Sequence, residues 1–163
     1  MILLSNGERH RIGKPFTPDI KAIAFALSHI NRYNGHVGQY SVAQHCVHAA
    51  YQLPNRLMLS GLLHDACEAY IGDVTSPLKA HLPGYQALED FYLGQIDAHY
   101  CTDTRHPDVK VADLRMLITE ARAFGLDLSA FPRAEPYSLH IARWPAAQAE
   151  RQFLETFKEL TAI

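Results

Sequence analysis

Gly61-Leu62-Leu63-His64-Asp65-Ala66-Cys67-Glu68-Ala69-Tyr70-Ile71-Gly72-Asp73 is the stretch whose reading decides the fold. An apolar helical pattern is interrupted there by side chains that bind metals or move protons. At helical spacing Leu59, Leu62, Leu63 and Ala66 form an apolar stripe, while His64 and Glu68 fall one turn apart and Asp65 and Glu68 three residues apart. An imidazole and two carboxylates therefore converge on one side. Burying them unpaired is costly, so the stretch calls for a cation or a dense hydrogen-bond network. The plainer alternative is a solvated face that happens to carry His, Asp and Glu.

Around this stretch the chain has the size of one ordinary domain: 163 residues, 48% of them hydrophobic. Fifteen Lys plus Arg against 17 Asp plus Glu give a formal charge of -2, which excludes the broad basic surface that stable nucleic-acid binding needs. A small anionic ligand held by one or two cations is compatible with that balance. Three cysteines, Cys46, Cys67 and Cys101, form no CxxC pair and suit free thiols in a reducing compartment. The opening Met1-Ile2-Leu3-Leu4 meets Ser5-Asn6-Gly7-Glu8 at once, and no apolar run reaches membrane-spanning length. A soluble, cytoplasmic protein with no membrane partner is expected.

Taken in order, residues 1–16 read as an irregular N-terminal flap with Asn6-Gly7 as a hairpin turn. Thr17-Pro18-Asp19 reads as a cap, a first-turn proline and a dipole-favoured acid, opening a helix through Ile23, Phe25, Ala26, Leu27 and Ile30. A loop with Arg32, Tyr33 and two glycines follows. Ser41-Val42-Ala43-Gln44 has the form of a capping box, so a helix carrying His45 runs from there to about Leu53. Asn55 is placed as the cap of a third helix that carries the central stretch and ends at Gly72. Helices are expected from about Gly84 to Tyr100 and from Pro107 to Phe124, the latter with Val109, Val111, Ala112, Leu114, Leu117, Ile118 and Ala121 inward. Within it Asp113 lies between Ala112 and Leu114, a candidate inward ligand. Residues 126–144 read as packed but irregular, and a last helix begins at Pro145. No repeat and no strand alternation stands out, so the class is all-α and the whole of 1–163 is one domain, with its core in about 17–125 and a helical extension over 126–163.

His45, His64, Asp65 and Asp113 offer two imidazole nitrogens and two carboxylates, a mixture that suits one divalent transition metal such as Zn, Co or Mn without choosing among them. Water on such a cation becomes a nucleophile at neutral pH. Glu68 is placed to relay a proton. Arg32 and Lys79 supply positive charge for an anionic substrate, and Arg can grip phosphate oxygens in fork geometry.

The order His45, His64-Asp65, then Asp113 within Val109-Lys110-Val111-Ala112-Asp113 closely resembles the HD-domain metal-dependent phosphohydrolases. Arg32-Tyr33, Tyr40-Ser41-Val42-Ala43-Gln44-His45, the His64 to Asp73 stretch and Pro77-Leu78-Lys79 look like its nucleotide-hydrolysing branch, which includes bacterial 5'-deoxynucleotidases and phage-type dATP triphosphohydrolases. The match covers about residues 17–125. The resemblance implies a single HD-domain helical bundle. It puts His45, His64, Asp65 and Asp113 at the metal positions and Glu68 at the acid/base position. It puts Asp73 at a sugar-contacting or catalytic-support position, Arg32 and Lys79 at phosphate contacts, and Tyr33 beside the nucleoside. Glu68 at the third place after the His-Asp pair resembles the single-metal phosphoester hydrolases, and Tyr33 departs from the Trp of some deoxynucleotidases. A further Mg can accompany the substrate phosphates, and relatives of this kind assemble as dimers or hexamers.

The resulting expectation is a hydrolase of deoxynucleotides: a triphosphohydrolase releasing deoxyadenosine and triphosphate from dATP, with a 5'-deoxynucleotidase acting on monophosphates as the alternative. A nucleotide-binding or interaction module with a non-catalytic site and a structural metalloprotein are the rivals from other classes. Residue by residue, plainer roles stay open: His45 as a core histidine bonded to backbone, Asp113 paired with Arg115 or Arg122, Glu68 paired with Lys79, and His48 as a surface histidine.

Overall fold

The computed structural model describes residues 1–162. Strand β1 (Ile2–Leu3) pairs antiparallel with β2 (Arg9–His10), Ile2 opposite His10 and Leu3 opposite Arg9. Gly7, at φ 87°, makes the turn with its N–H donating to the Leu4 carbonyl at 3.0 Å. This flap is stapled to the body by His10 Nε2, 2.5 Å from the Tyr92 hydroxyl. Everything else regular is helical: α1 (Ile20–His29), α2 (Val42–Tyr51), α3 (Asn55–Leu63), α4 (Glu68–Ile71), α5 (Ser76–Lys79), α6 (Tyr85–Tyr100), α7 (Pro107–Ala123) and α8 (Ala146–Thr161), with single 3-10 turns at Tyr33–Gly35 and Leu128–Ala130.

Helix α2 is the central element. It packs against α1, α3, α7 and α8, and Val42 through Val47 together with Ala49 and Ala50 are buried. Its polar residues Gln44 and His45 are wholly buried too, so they need partners inside the protein. The main core unites Ile23 and Leu27 of α1, Cys46 and Val47 of α2, Leu62 and Leu63 of α3, Tyr92 and Ile96 of α6, and Ala149 and Phe153 of α8. Helix α8 thus contributes fully buried residues to the same core as the rest. Among the described residues no helix is long and apolar enough to cross a membrane.

Several local expectations need correction. Asp19, not Thr17, caps α1, accepting from Lys21 N–H at 3.0 Å. Pro54 holds the cap position of α3, so Asn55 is its first residue and not its cap. Val111, placed inward by periodicity, is 56% exposed, and Phe25 of the apolar α1 pattern is 43% exposed. The largest difference is that no continuous helix joins Asn55 to Gly72. Helix α3 stops at Leu63, and the chain descends through tight turns closed by Ala66 N–H to Leu63 O at 2.9 Å and Glu68 N–H to Asp65 O at 3.0 Å. The reason is local competition for a carbonyl. His64 Nδ1 lies 2.6 Å from Gly61 O, so the imidazole takes an acceptor of the last turn. Gly72, at φ 78°, ends α4 with its N–H on Glu68 O, as the glycine predicts.

Candidate functional site

The break after α3 swings His64 and Asp65 toward the middle of α2 and the N-terminal half of α7. His45 Nε2 lies 3.2 Å from His64 Nε2, 3.0 Å from Asp113 Oδ1 and 3.7 Å from Asp65 Oδ2. His64 Nε2 lies 3.3 Å from Asp65 Oδ2 and 3.5 Å from Asp113 Oδ1. Ligands held at 2.0–2.2 Å from one cation stand roughly 2.8–3.6 Å from each other, so these separations have the size of coordination edges. His45, His64 and Asp65 have donor atoms mutually within 4.8 Å. Asp113 lies outside that mutual set and joins it through its contacts to both imidazoles.

The chemistry of the donors says why such a group exists. The Nδ1 of His45 is 3.0 Å from both oxygens of Glu120, and that of His64 faces Gly61 O, so each imidazole spends its Nδ1–H outward. Two Nε2 lone pairs then face each other and two carboxylates. Either extra protons or a cation must hold such a set together. Burial lowers the affinity of His64 for a proton, yet Asp65 and Asp113 more than reverse this and raise its pKa well above the usual value. Around the imidazoles, Asp65, Asp113 and Glu120 set against Arg32 leave two negative charges, which one divalent cation balances. The residues present therefore fit a divalent metal: His45, His64 and Asp65 could hold it, with Asp113 in reach beside both imidazoles.

Glu120 had no sequence-based assignment. It is fully buried, and Arg32 Nη2 approaches its Oε1 at 3.1 Å. Burial would raise its pKa, but Arg32 and then His45 outweigh burial and keep it ionised. Arg32 is no surface cation: it is 9% exposed, with Nη1 also 3.9 Å from Asp65 Oδ2. The signal that could have found Glu120 is its position two helical turns after Asp113, on the same face of α7.

Beside the imidazoles opens a cleft of about 420 Å³, lined by Arg32, Tyr33, Glu68, Asp73, Lys79 and Phe131 among others. All the acid/base and substrate candidates thus meet in one cavity, of a size that suits a small ligand. Among the described residues Glu68 Oε2 is buried without a hydrogen-bond partner. Burial, reinforced by Asp65 and Asp73, raises the pKa of its carboxyl well above the ordinary range. Asp73 is shifted upward as well, by burial first, against the pull of Arg32. Lys79 is ion-paired with Glu89, not with Glu68. Tyr33 sits in a left-handed backbone conformation, φ 56°, unusual for an aromatic and held by its hydroxyl donating to Leu117 O at 3.0 Å. Its ring meets Phe131 edge-on at 6.2 Å.

Phe131 and Pro132 come to the cleft from the irregular segment after α7, and nothing in the spacing announces them. The segment is fastened by side chains: Arg115 Nε donates to Glu135 O at 2.7 Å, Arg122 Nη2 to Tyr137 O at 3.0 Å, and Gln44 Nε2 to Ala142 O at 2.6 Å. Arg115 and Arg122 are thereby engaged elsewhere, which removes the reading of Asp113 as their partner. His48 is half-buried: its ring packs on Trp144 at 5.0 Å, and burial lowers its pKa to about 4. A second, more polar recess of about 280 Å³ adjoins His64, Asp65 and Asp113 and carries Gln86, Arg105 and Lys110.

No family model matches the chain. Over 153 residues it is 36% identical to "Uncharacterized protein YfdR" of Escherichia coli (strain K12), covering 88% of this chain and 85% of that protein. The chain belongs to the YfdR family. A second member, "Uncharacterized protein RCAP_rcc00048" of Rhodobacter capsulatus, is 36% identical over 150 residues, covering 85% of this chain and 70% of the relative. These two alignments cover 88% and 85% of the present chain.

Proposed function

We propose that this YfdR-family protein is a metal-dependent phosphohydrolase of deoxynucleotides built on an HD-domain helical bundle, with dATP triphosphohydrolysis as its leading activity. The observation that carries the reading is that His45 Nε2 and His64 Nε2, 3.2 Å apart, each lie 3.0–3.7 Å from Asp65 and Asp113, beside a cleft that also holds a buried carboxyl with an unpartnered oxygen. A divalent cation held there supplies Lewis acidity to a phosphate oxygen and makes water nucleophilic at neutral pH. Glu68 carries the proton: its free Oε2 takes it from the attacking water or gives it to the departing oxygen. Arg32 is fixed by Glu120 and Asp65 so that its guanidinium faces the cleft ready for phosphate. Lys79 adds a second positive charge, Asp73 an acceptor for a sugar hydroxyl, and Tyr33 with Phe131 an aromatic wall for the base.

A triphosphate needs positive charge beyond the first phosphate, and Lys110 in the adjoining recess offers it beside Arg105, which is itself ion-paired with Asp90 at 3.0 Å. A 5'-deoxynucleotidase is the second reading, favoured by the fact that Arg32 and Lys79 are each already paired with a carboxylate and so grip one phosphate more readily than three. The deciding experiment incubates purified protein with dATP, dAMP, dGTP and ATP in Co(II) or Mn(II) and separates products by ion exchange. Deoxyadenosine plus intact tripolyphosphate from dATP is expected, and release from dAMP alone would establish the second reading. His64→Ala and Asp65→Ala should lose bound metal and turnover together. Turnover retained by the metal-free variants, or no turnover of any nucleotide by the wild type, would overturn the proposal.

A further inference from the structure

Glu120 is the one fully buried carboxylate near the imidazoles that the proposed reaction does not use. Its surroundings are unusual in that one side chain serves two functional groups. Both of its oxygens lie 3.0 Å from His45 Nδ1, and Oε1 is also 3.1 Å from Arg32 Nη2. His45 comes from α2, Arg32 from the loop before it, and Glu120 from near the C-terminal end of α7, so the contact ties three separate pieces of chain. The loop is itself pinched at its base by Arg32 N–H on Tyr40 O and Val42 N–H on Ile30 O, both 2.9 Å, which leaves the Arg32 side chain little freedom once its far end is held.

We propose that Glu120 is a positioning residue that couples the cation site to the phosphate grip: it fixes the His45 ring for the metal and the Arg32 guanidinium for the substrate, so that filling either site favours the other. The inference rests on the phosphohydrolase reading for the identity of the anion, but its cation half does not. An acceptor on the far nitrogen of a ligating imidazole fixes the tautomer and raises the basicity of the bonding nitrogen. With a cation bound at Nε2, the His45 ring would be a stronger Nδ1–H donor and would draw Glu120 toward it. With Oε1 shared less, the guanidinium would keep its aim through Glu120 and Asp65 but present more of its charge to an incoming phosphate. By linkage the reverse holds: phosphate on Arg32 frees Glu120 for His45 and tightens the cation. A carboxylate needed only for packing or charge balance would stabilise the fold without linking the two affinities.

The test measures Mn(II) binding to the full-length, metal-free protein by calorimetry, with and without inorganic phosphate and dAMP, for wild type, Glu120→Gln and Glu120→Asp. Wild type should bind Mn(II) more tightly when phosphate is present. Glu120→Gln keeps the volume and one acceptor oxygen, and should weaken Mn(II) binding about 10–100-fold and reduce the phosphate effect toward none. Glu120→Asp, which keeps the charge, should restore part of the coupling if circular dichroism shows it folded. Mn(II) affinity and phosphate coupling unchanged in folded Glu120→Gln would overturn the proposal, as would wild-type protein that takes up no Mn(II). Failure of the phosphohydrolase reading is seen separately: wild type would then bind Mn(II) with its Glu120 dependence intact yet turn over no nucleotide.

Discussion

Replacing Gly61 by alanine tests whether the close approach of α2 and α3 sets the metal geometry. A Cβ built on Gly61 would lie 2.4 Å from Leu53 Cδ1 and 3.2 Å from Ala50 Cα. The Leu53 tip can swing away, although it must then disturb the small cluster it forms with Leu57, Val109 and Ala112. The Ala50 backbone cannot swing, so the two helices have to part by a few tenths of an ångström at their crossing. Overpacking of this kind costs about 1–3 kcal/mol. Alanine returns about 1 kcal/mol of helix propensity relative to glycine. The net loss is therefore about 0–2 kcal/mol, or at most roughly 8 °C in Tm for a chain of this size. The functional loss should be larger than the stability loss. Gly61 O is the acceptor that holds His64 Nδ1 at 2.6 Å, and His45 sits on the helix that would be pushed away. Disturbing the partner that orients a ligating imidazole typically costs about 10–100-fold in metal affinity, so a shift of a few tenths of an ångström should lower Mn(II) affinity by about tenfold, the low end of that range. Thermal unfolding of the metal-free protein and Mn(II) calorimetry read the two effects independently. A Gly61→Ala protein with a raised Tm and unaltered Mn(II) affinity would refute the argument that helix spacing sets the imidazole spacing.

Three further outcomes are expected. Glu68→Gln should lower kcat about 10²–10⁴-fold while Mn(II) affinity stays near wild type, because the residue moves a proton and does not hold the cation; an equal loss of metal in calorimetry would make it a ligand instead. Lys79→Ala should raise KM for nucleotide at least tenfold while Tm falls by no more than a few degrees, since its pair with Glu89 is part-exposed and contributes about 0–1 kcal/mol; a drop in Tm with KM unchanged would assign it to the fold. His48 bears on acid stability. Its pKa is about 4 in the folded protein against 6.5 for the free side chain, so the unfolded chain takes up a proton that the folded one refuses. The stability is present above pH 6.5 and is lost as the pH falls toward 4, by roughly 2–3 kcal/mol at pH 4.5. Urea unfolding of wild type and His48→Gln at pH 7 and 4.5 should show the variant losing less, and equal losses would show that His48 is free to protonate in the folded state.

The helical class and the four-residue constellation were legible because they rest on strong local rules. Capping serines, first-turn prolines and the glycine after Ile71 punctuate the chain, and α2, α6 and α7 fall within two residues of where that punctuation puts them. His45 and Asp113 each sit among apolar helical neighbours and His64-Asp65 interrupts an apolar run, which singled out the four together, although the break after α3 that turns His64 and Asp65 toward α2 and α7 was not legible. The hairpin of the flap was legible from Asn6-Gly7, but not the extent of its strands, because two-residue strands are too short to show alternation. The break at His64 was hidden for a different reason. Period and propensity both favour helix through Ala66, and only a side chain competing for the Gly61 carbonyl ends it.

Glu120 shows what a one-dimensional reading discards. In Ile118-Thr119-Glu120-Ala121-Arg122 an acid flanked by a cation looks like ordinary helix surface. Seven residues after Asp113, however, it returns to the same face of the helix, and that face is turned toward the imidazoles. An acid placed there cannot be solvated, so it must be paired inside, and the partners available are a histidine and an arginine already singled out for other reasons. The same reasoning applies to Phe131, with the opposite result. Its position depends on Arg115, Arg122 and Gln44 clasping backbone carbonyls of a segment without periodicity, so no property of residue 131 itself could place it. Charged residues deep in a helix face can be recovered from spacing plus the cost of burial. Cleft walls built from irregular chain require the long-range hydrogen bonds that hold them, and those bonds exist only in three dimensions.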